Sequence, residues 1–236
     1  MSQGRGRGTG AAEVIRRALD VLMAAGLLLV ALPVLLVVTI GSALSLKASP
    51  LFSQDRVGRG GRTFRFYKIR TLPPTAPAYT DKHQLDMTKL PPFCQLVRRL
   101  HLDEIPQLFL VLIGKMSLVG PRPEMPYLHD AMPADFAAER TSVRPGVTGL
   151  WQVSVACAGL IHAAPEYDRF YLENRTLRLD VWILYRTARK MLGVGRPVEL
   201  STVPAWVLRR DTAVEPAPTA RPEPVEAVTA SAQAGR

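Results

Sequence analysis

The sequence predicts a mixed α/β protein: an N-terminal re-entrant membrane helix joined to a small cytoplasmic domain of interfacial amphipathic helices and short strands. Three observations carry that expectation. Val21 to Leu46 is a run of 26 residues without a charge. Phe64, Phe66, Lys68 and Arg70 alternate with period two, as one face of a strand does. Ile105, Leu108, Phe109 and Leu112 recur at i, i+3, i+4 and i+7, the stripe of an amphipathic helix.

At 236 residues the chain is one domain with appendages, long enough to bury a core. Its formal charge is +10, and the tail from Asp211 contributes −2, so the body carries +12. Such an excess calls for a polyanionic partner: phosphorylated ligands, an anionic membrane surface or nucleic acid. No nucleic-acid partner is expected, because no helix-turn-helix, zinc finger or aromatic RNA-binding pattern is present. Cys94 and Cys157 make neither a disulfide framework nor a metal spacing, and four scattered histidines make no zinc site. Oligomeric state is not encoded in any of these features.

Residues 1–12 are Gly/Arg-rich and are expected to be a disordered basic N-terminus, with the membrane element over 13–48. As a straight helix the uncharged run would be about 39 Å long, against a hydrocarbon core of roughly 30 Å. A single span satisfies that length. However, Pro33 sits mid-run, where it removes a backbone bond and bends a helix. Both flanks are also basic: Arg5, Arg7, Arg16 and Arg17 before, Lys47, Arg56, Arg59 and Arg62 after. Both flanks therefore favour the cytoplasm, and a helix that enters, kinks at Pro33 and leaves by the same face is preferred over a span.

Ser49-Pro50 ends the apolar element, and Gln54 to Arg62 reads as a hairpin turning at Gly60-Gly61. The strand from Thr63 to Thr71 follows. Its face of two aromatics and two cations places Lys68 and Arg70 either over a pocket or at a solvated strand end. Leu72 to Pro92 is Pro-rich and reads as a mobile loop, and Phe93 to Leu100 then brings Arg98 up to Asp103-Glu104.

Asp103-Glu104-Ile105-Pro106 sets two adjacent carboxylates at the mouth of a helix, since Pro106 fits only its first turn. On this stretch alone Asp103 reads first as an N-cap. Further on, Gly120-Pro121-Arg122-Pro123 holds Arg122 between two prolines, which suits a planar guanidinium for phosphate recognition or makes a rigid connector. Arg144-Pro145-Gly146 is a turn feeding a strand. Tyr167 to Leu172 and Leu179 to Leu192 read as helices. The second, with Trp182 and Tyr185 among Arg178, Arg186, Arg189 and Lys190, fits a headgroup-layer helix and a core helix equally well. Residues 211–236 are Ala/Pro/Glu/Thr-rich and are expected to be a disordered tail.

Taken in order, Tyr67 to Thr71, Leu102 to Leu108, Met116 to Pro123 and Val143 to Val153 resemble the bacterial sugar transferase family, the monotopic polyprenyl-phosphate phosphoglycosyltransferases. The resemblance runs from about Val14 to Gly195. It implies that residues 49–200 are a catalytic domain facing the cytoplasm at the bacterial cytoplasmic membrane. The implied activity moves a sugar-1-phosphate from a nucleotide diphosphate sugar, expected to be a UDP-sugar, to polyprenyl (undecaprenyl) phosphate. Nucleoside monophosphate would be released, opening polysaccharide or glycoconjugate assembly.

By the same resemblance Asp103 is the nucleophile of a phosphosugar-enzyme intermediate and Glu104 helps hold Mg²⁺. Lys68, Arg70, Arg98, Arg122, Arg144 and Asp168 are implied to line the site. The implied partners are membrane lipid, polyprenyl phosphate and nucleotide sugar. Leu32-Pro33, Lys115 and Val155-Ala156-Cys157 depart from the family pattern. Those departures motivate the alternative of a catalytically degenerate, membrane-tethered scaffold in a glycan-assembly complex.

Overall fold

The computed structural model describes residues 10–76 and 90–209. The expectations for residues 1–9, for the 77–89 part of the Pro-rich loop and for the 211–236 tail lie outside them. Helix α1 runs Gly10–Leu46, 37 residues, and passes through Pro33 without a break in its helical assignment. It is long and apolar enough to cross a membrane. Its contacts are unevenly distributed. Arg16, Asp20 and Ala24 are buried near one end, and Val38 and Ser42 near the other. Between Ala24 and Val38 no residue of α1 is buried.

Polar contacts fasten both ends to one domain. At the N-terminal end, Arg16 Nε donates to Asp180 Oδ2 at 2.6 Å. Arg17 donates from both terminal nitrogens to the Val111 and Leu112 carbonyls. Asp20 accepts from the Ser117 hydroxyl and from the Leu118 N–H. At the other end, the Ser42 hydroxyl donates to the Arg70 carbonyl. Val38 packs there with Ile69 and Val97, with Leu35 against them. At Gly41 a Cβ would run into the Phe93 ring, so glycine is needed for that close approach.

Strands β1 (Leu51–Val57) and β2 (Thr63–Ile69) form the antiparallel hairpin, with Leu51 opposite Ile69 and Val57 opposite Thr63. Gly60 and Gly61 have φ of 69° and 73°, which is why the turn uses this pair. Register sets Phe52, Gln54 and Arg56 opposite Lys68, Phe66 and Phe64 on the face turned inward. Helix α2 (Pro92–Arg99) carries Arg98 in its last turn. A left-handed residue, His101 (φ 55°), then turns the chain into a 3-10 turn, Leu102–Glu104, followed by helix α3 (Gln107–Leu112).

The rest of the chain builds the core. Strand β3 (Ser117–Val119) pairs in parallel with β4 (Gly146–Thr148). Between them lie α4 (Pro126–Asp130) and α5 (Ala134–Thr141). After β4 come α6 (Leu150–Val153), α7 (Pro165–Glu173) and α8 (Leu177–Met191). Leu110, Met116, Phe136, Leu150, Tyr171 and Leu179 are among the side chains fully enclosed there. Helix α8 has one buried side and one exposed side. Leu179, Trp182 and Ile183 enter the core, while Val181 and Tyr185 are exposed on the opposite side beside Arg189.

Two expectations are corrected. The helix after the Asp-Glu pair begins at Gln107, not at the carboxylates, and Pro106 stands at its N-cap position. Asp103 therefore caps nothing; its side chain makes no capping bond to the 3-10 turn or to α3. The left-handed turn at His101 and the six-residue length of α3 decide this, since they place Asp103 before the first helical turn.

Candidate active site

Asp103 sits on the 3-10 turn, 6% exposed, and makes no hydrogen bond among the described residues. Burial, and next the adjacent Glu104, raise its pKa from 3.8 to about 6, against the opposing pull of Lys68, Arg98 and His101. An unbonded carboxylate with this environment has its lone pairs uncommitted, which is what a nucleophile requires.

Lys68 reaches it from β2. Burial, with help from Arg98 and Arg122, lowers the Lys68 pKa to about 8, while Asp103 and Glu104 act in the opposite sense. Its ammonium lies 5.5 Å from the centre of the Phe52 ring. Arg98 is braced at 3.1 Å by the hydroxyl of buried Thr71. Glu104 is half-buried and faces Arg122 across 3.9 Å, a loose pair that leaves the carboxylate available.

The Arg122 loop is held from behind. Arg140 Nη2 donates to the Arg122 carbonyl at 2.6 Å, and Arg140 Nε donates to Asp168 Oδ2 at 2.7 Å. Asp168 and Arg140 are both buried, at 2% and 5% exposure. Asp168 thus meets the Arg122 loop through Arg140. Arg56 adds a further cation on the inward face of β1: it donates to the Pro123 carbonyl and to Gln54, and lies 3.8 Å from Glu124. Burial, and next Arg122, lower its pKa to about 10.

The structure therefore brings together Lys68, Arg98, Asp103, Glu104 and Arg122. Arg70 lies past the end of β2, donating to the Ser49 carbonyl and stacking 5.7 Å over Phe52, so it sits at the rim on the Lys68 side. Arg144 is directed elsewhere: its Nε donates to the Gly114 carbonyl beyond the far end of α3. Pro33 lies on the unburied middle of α1. Sequence reasoning missed Arg56, Glu124 and Arg140. A period-two reading of β1, applied as it was to β2, would have found Arg56 opposite Phe64. No local pattern marks Arg140, whose partner lies 28 residues on.

No group of three or more His, Cys, Asp or Glu side chains forms a metal cage among the described residues. The donor set suits Mg²⁺ in another way. That ion keeps several waters and binds through one or two carboxylates plus substrate phosphates. Glu104 beside Asp103 supplies that minimum.

The profile of the family described as bacterial sugar transferase matches residues 11–194. A UDP-N-acetylgalactosamine-undecaprenyl-phosphate N-acetylgalactosaminephosphotransferase of Aeromonas hydrophila is 35% identical over 188 residues, covering 75% of this chain and 44% of that protein. An undecaprenyl-phosphate glucose phosphotransferase of Komagataeibacter xylinus is 33% identical, covering 74% of this chain and 35% of that protein. An uncharacterized sugar transferase of Bacillus subtilis is 37% identical, covering 76% of this chain and 88% of that protein. The chain thus spans less than half the length of the first two relatives.

Proposed function

The chain belongs to the bacterial sugar transferase family, and we propose that it transfers a sugar-1-phosphate from a UDP-sugar to undecaprenyl phosphate. The observation that carries this reading is the buried, unbonded Asp103 carboxylate among Lys68, Arg98 and Arg122. In the first displacement an Asp103 oxygen attacks the phosphorus that bears the sugar. The bond from that phosphorus to the bridging oxygen breaks, and nucleoside monophosphate leaves with the electron pair. In the second, an oxygen of polyprenyl phosphate attacks the same phosphorus and Asp103 departs as carboxylate. Covalent catalysis divides one difficult transfer into two.

Lys68, Arg98 and Arg122 offset the repulsion between an anionic nucleophile and an anionic pyrophosphate, and stabilise the leaving phosphate. Arg56 and Arg140 hold the backbone of the Arg122 loop. Mg²⁺, held by Glu104 with substrate phosphates, would supply Lewis-acid charge at the phosphate being transferred.

The test is release of nucleoside monophosphate from a nucleotide sugar, dependent on polyprenyl phosphate and Mg²⁺. Donor binding without release would favour the scaffold reading instead. The pH dependence of that release is a sharper check. Asp103 must be ionised, which holds above its pKa of about 6. Lys68 must be protonated, which holds below its pKa of about 8. The kcat/KM profile is therefore expected to be a bell between roughly pH 6 and 8, and Lys68→Arg should move the falling limb to higher pH. A wild-type profile flat from pH 5 to 9 would remove both groups from these roles.

We also read α1 as re-entrant, with the domain on the cytoplasmic side. Both of its ends dock on one domain while its middle is unburied, and this arrangement supports the reading. In a chain with Cys94 and Cys157 replaced by alanine, cysteines placed at Ala11 and at Lys47 should react with an impermeant maleimide from one face only. Reaction from opposite faces would establish a span.

A further inference from the structure

Beyond the far end of α3 from Asp103 lies a cleft of about 310 Å³ lined by Glu13, Val14, Arg17, Arg59 and Arg144. Two of its arginines are braced. Arg17 is held on the Val111 and Leu112 carbonyls at 2.7 and 3.0 Å, and Arg144 Nε on the Gly114 carbonyl at 3.1 Å. The terminal nitrogens of Arg144 and the whole Arg59 guanidinium have no hydrogen-bond partner among the described residues. None of the three arginines takes part in an ion pair there. Glu13, the one acid of the lining, is already committed to Arg16 at 3.0 Å and to Arg175 at 2.5 Å.

Three guanidinium groups around one cleft repel each other. Burial, and then Arg17 and Arg59, lower the Arg144 pKa. An anion would relieve that repulsion and meet planar forks suited to phosphate oxygens. Val14 of α1 lines the cleft, and Ile15, Leu19 and Leu22 of the same helix are exposed apolar side chains too. Cations beside such a stripe have the composition of a headgroup-level site.

We propose that this cleft is a second anion site, separate from Asp103, that holds a phosphate group through Arg17, Arg59 and Arg144. The same chemistry fits the phosphodiester of an anionic membrane lipid and a soluble phosphate or pyrophosphate. The inference does not rest on the proposed reaction, and turnover is not its readout.

Arg59 tests it cleanly, because it is exposed in the hairpin turn and its side chain makes no hydrogen bond or ion pair among the described residues. The full chain, purified in detergent, would be titrated with phosphatidylglycerol and with phosphatidylcholine under native mass spectrometry. A parallel thermal-shift series would use pyrophosphate. The expected result is preferential retention of phosphatidylglycerol, weakened about tenfold in Arg59→Gln and further in Arg59→Gln/Arg144→Gln. Arg122→Gln, at the other site, should leave it unchanged. A pyrophosphate-dependent Tm rise with the same pattern across variants, and no lipid preference, would identify the soluble source. Equal retention and equal shifts in wild type and both cleft variants would overturn the proposal, as would loss confined to Arg122→Gln.

Discussion

Asp103→Asn is expected to lower nucleoside monophosphate release by at least about a thousandfold while making the folded protein more stable above pH 6. The two effects share one cause. Asn keeps the shape of the side chain and supplies no anionic oxygen to form the phosphosugar intermediate. It also removes a buried charge. In the folded state Asp103 has a pKa of about 6, against 3.8 for the exposed group. Between those values the folded protein holds a proton that the unfolded chain has released, so stability falls as pH rises through the window. Below about pH 4 both states are protonated and the substitution changes little. Above about pH 6 the full penalty of the ionised carboxylate is present, on the order of 3 kcal/mol for a shift of this size. Thermal unfolding of both proteins from pH 4 to 8 reads the difference directly. Curves that stay parallel across that range would show that Asp103 carries no strained charge. Release by the variant at the wild-type rate would end its role as nucleophile.

The Arg140–Asp168 pair should give the largest loss of stability. Asp168→Ala leaves the Arg140 guanidinium buried without its counter-charge, and breaking a buried pair in this way costs about 3–5 kcal/mol. Arg140→Ala should cost a similar amount and in addition release the Arg122 carbonyl. The double replacement Arg140→Met/Asp168→Leu removes both charges and keeps the volume, so it should recover most of the lost stability. It should not recover activity, because the Arg122 carbonyl has then lost its Arg140 donor and Arg56 alone holds the loop by a side chain. Unfolding midpoints and donor turnover, measured on the same four proteins, separate the two effects. If the double variant recovers turnover together with stability, the pair has no positioning role and is only structural. Asp168 meets the Arg122 loop through Arg140, so its influence on the reaction is indirect.

The sequence made the chemistry-bearing turn legible and left its surroundings obscure, for physical reasons. Gly60-Gly61 announced the hairpin because two successive positive φ angles leave few alternatives. The alternation along β2 puts Lys68 on the face of Phe64 and Phe66, since strand periodicity is a local property, but leaves open whether that end closes over a pocket or is solvated. Asp103 looked like an N-cap because Pro106 and the apolar stripe implied a helix starting nearby. The left-handed His101, which no propensity announces, shifted that start and left the carboxylate unbonded. The family resemblance implies Arg144 at the site, whereas its side chain turns to Gly114. Helices α4 and α5, five and eight residues long, are too short to show a period against their proline-rich setting.

The docking of α1 has a consequence for the order in which the protein is made. Asp180 is made 164 positions after Arg16, its partner in the folded protein. At ribosomal rates of about 5–20 residues per second, the interval between them is on the order of 8–30 seconds. Throughout that interval Arg16 has its helical neighbour Glu13 but not its buried partner Asp180. Formation of α1 and closure of the domain on it are thus separate events, and α8 can secure α1 only once the intervening elements have been translated.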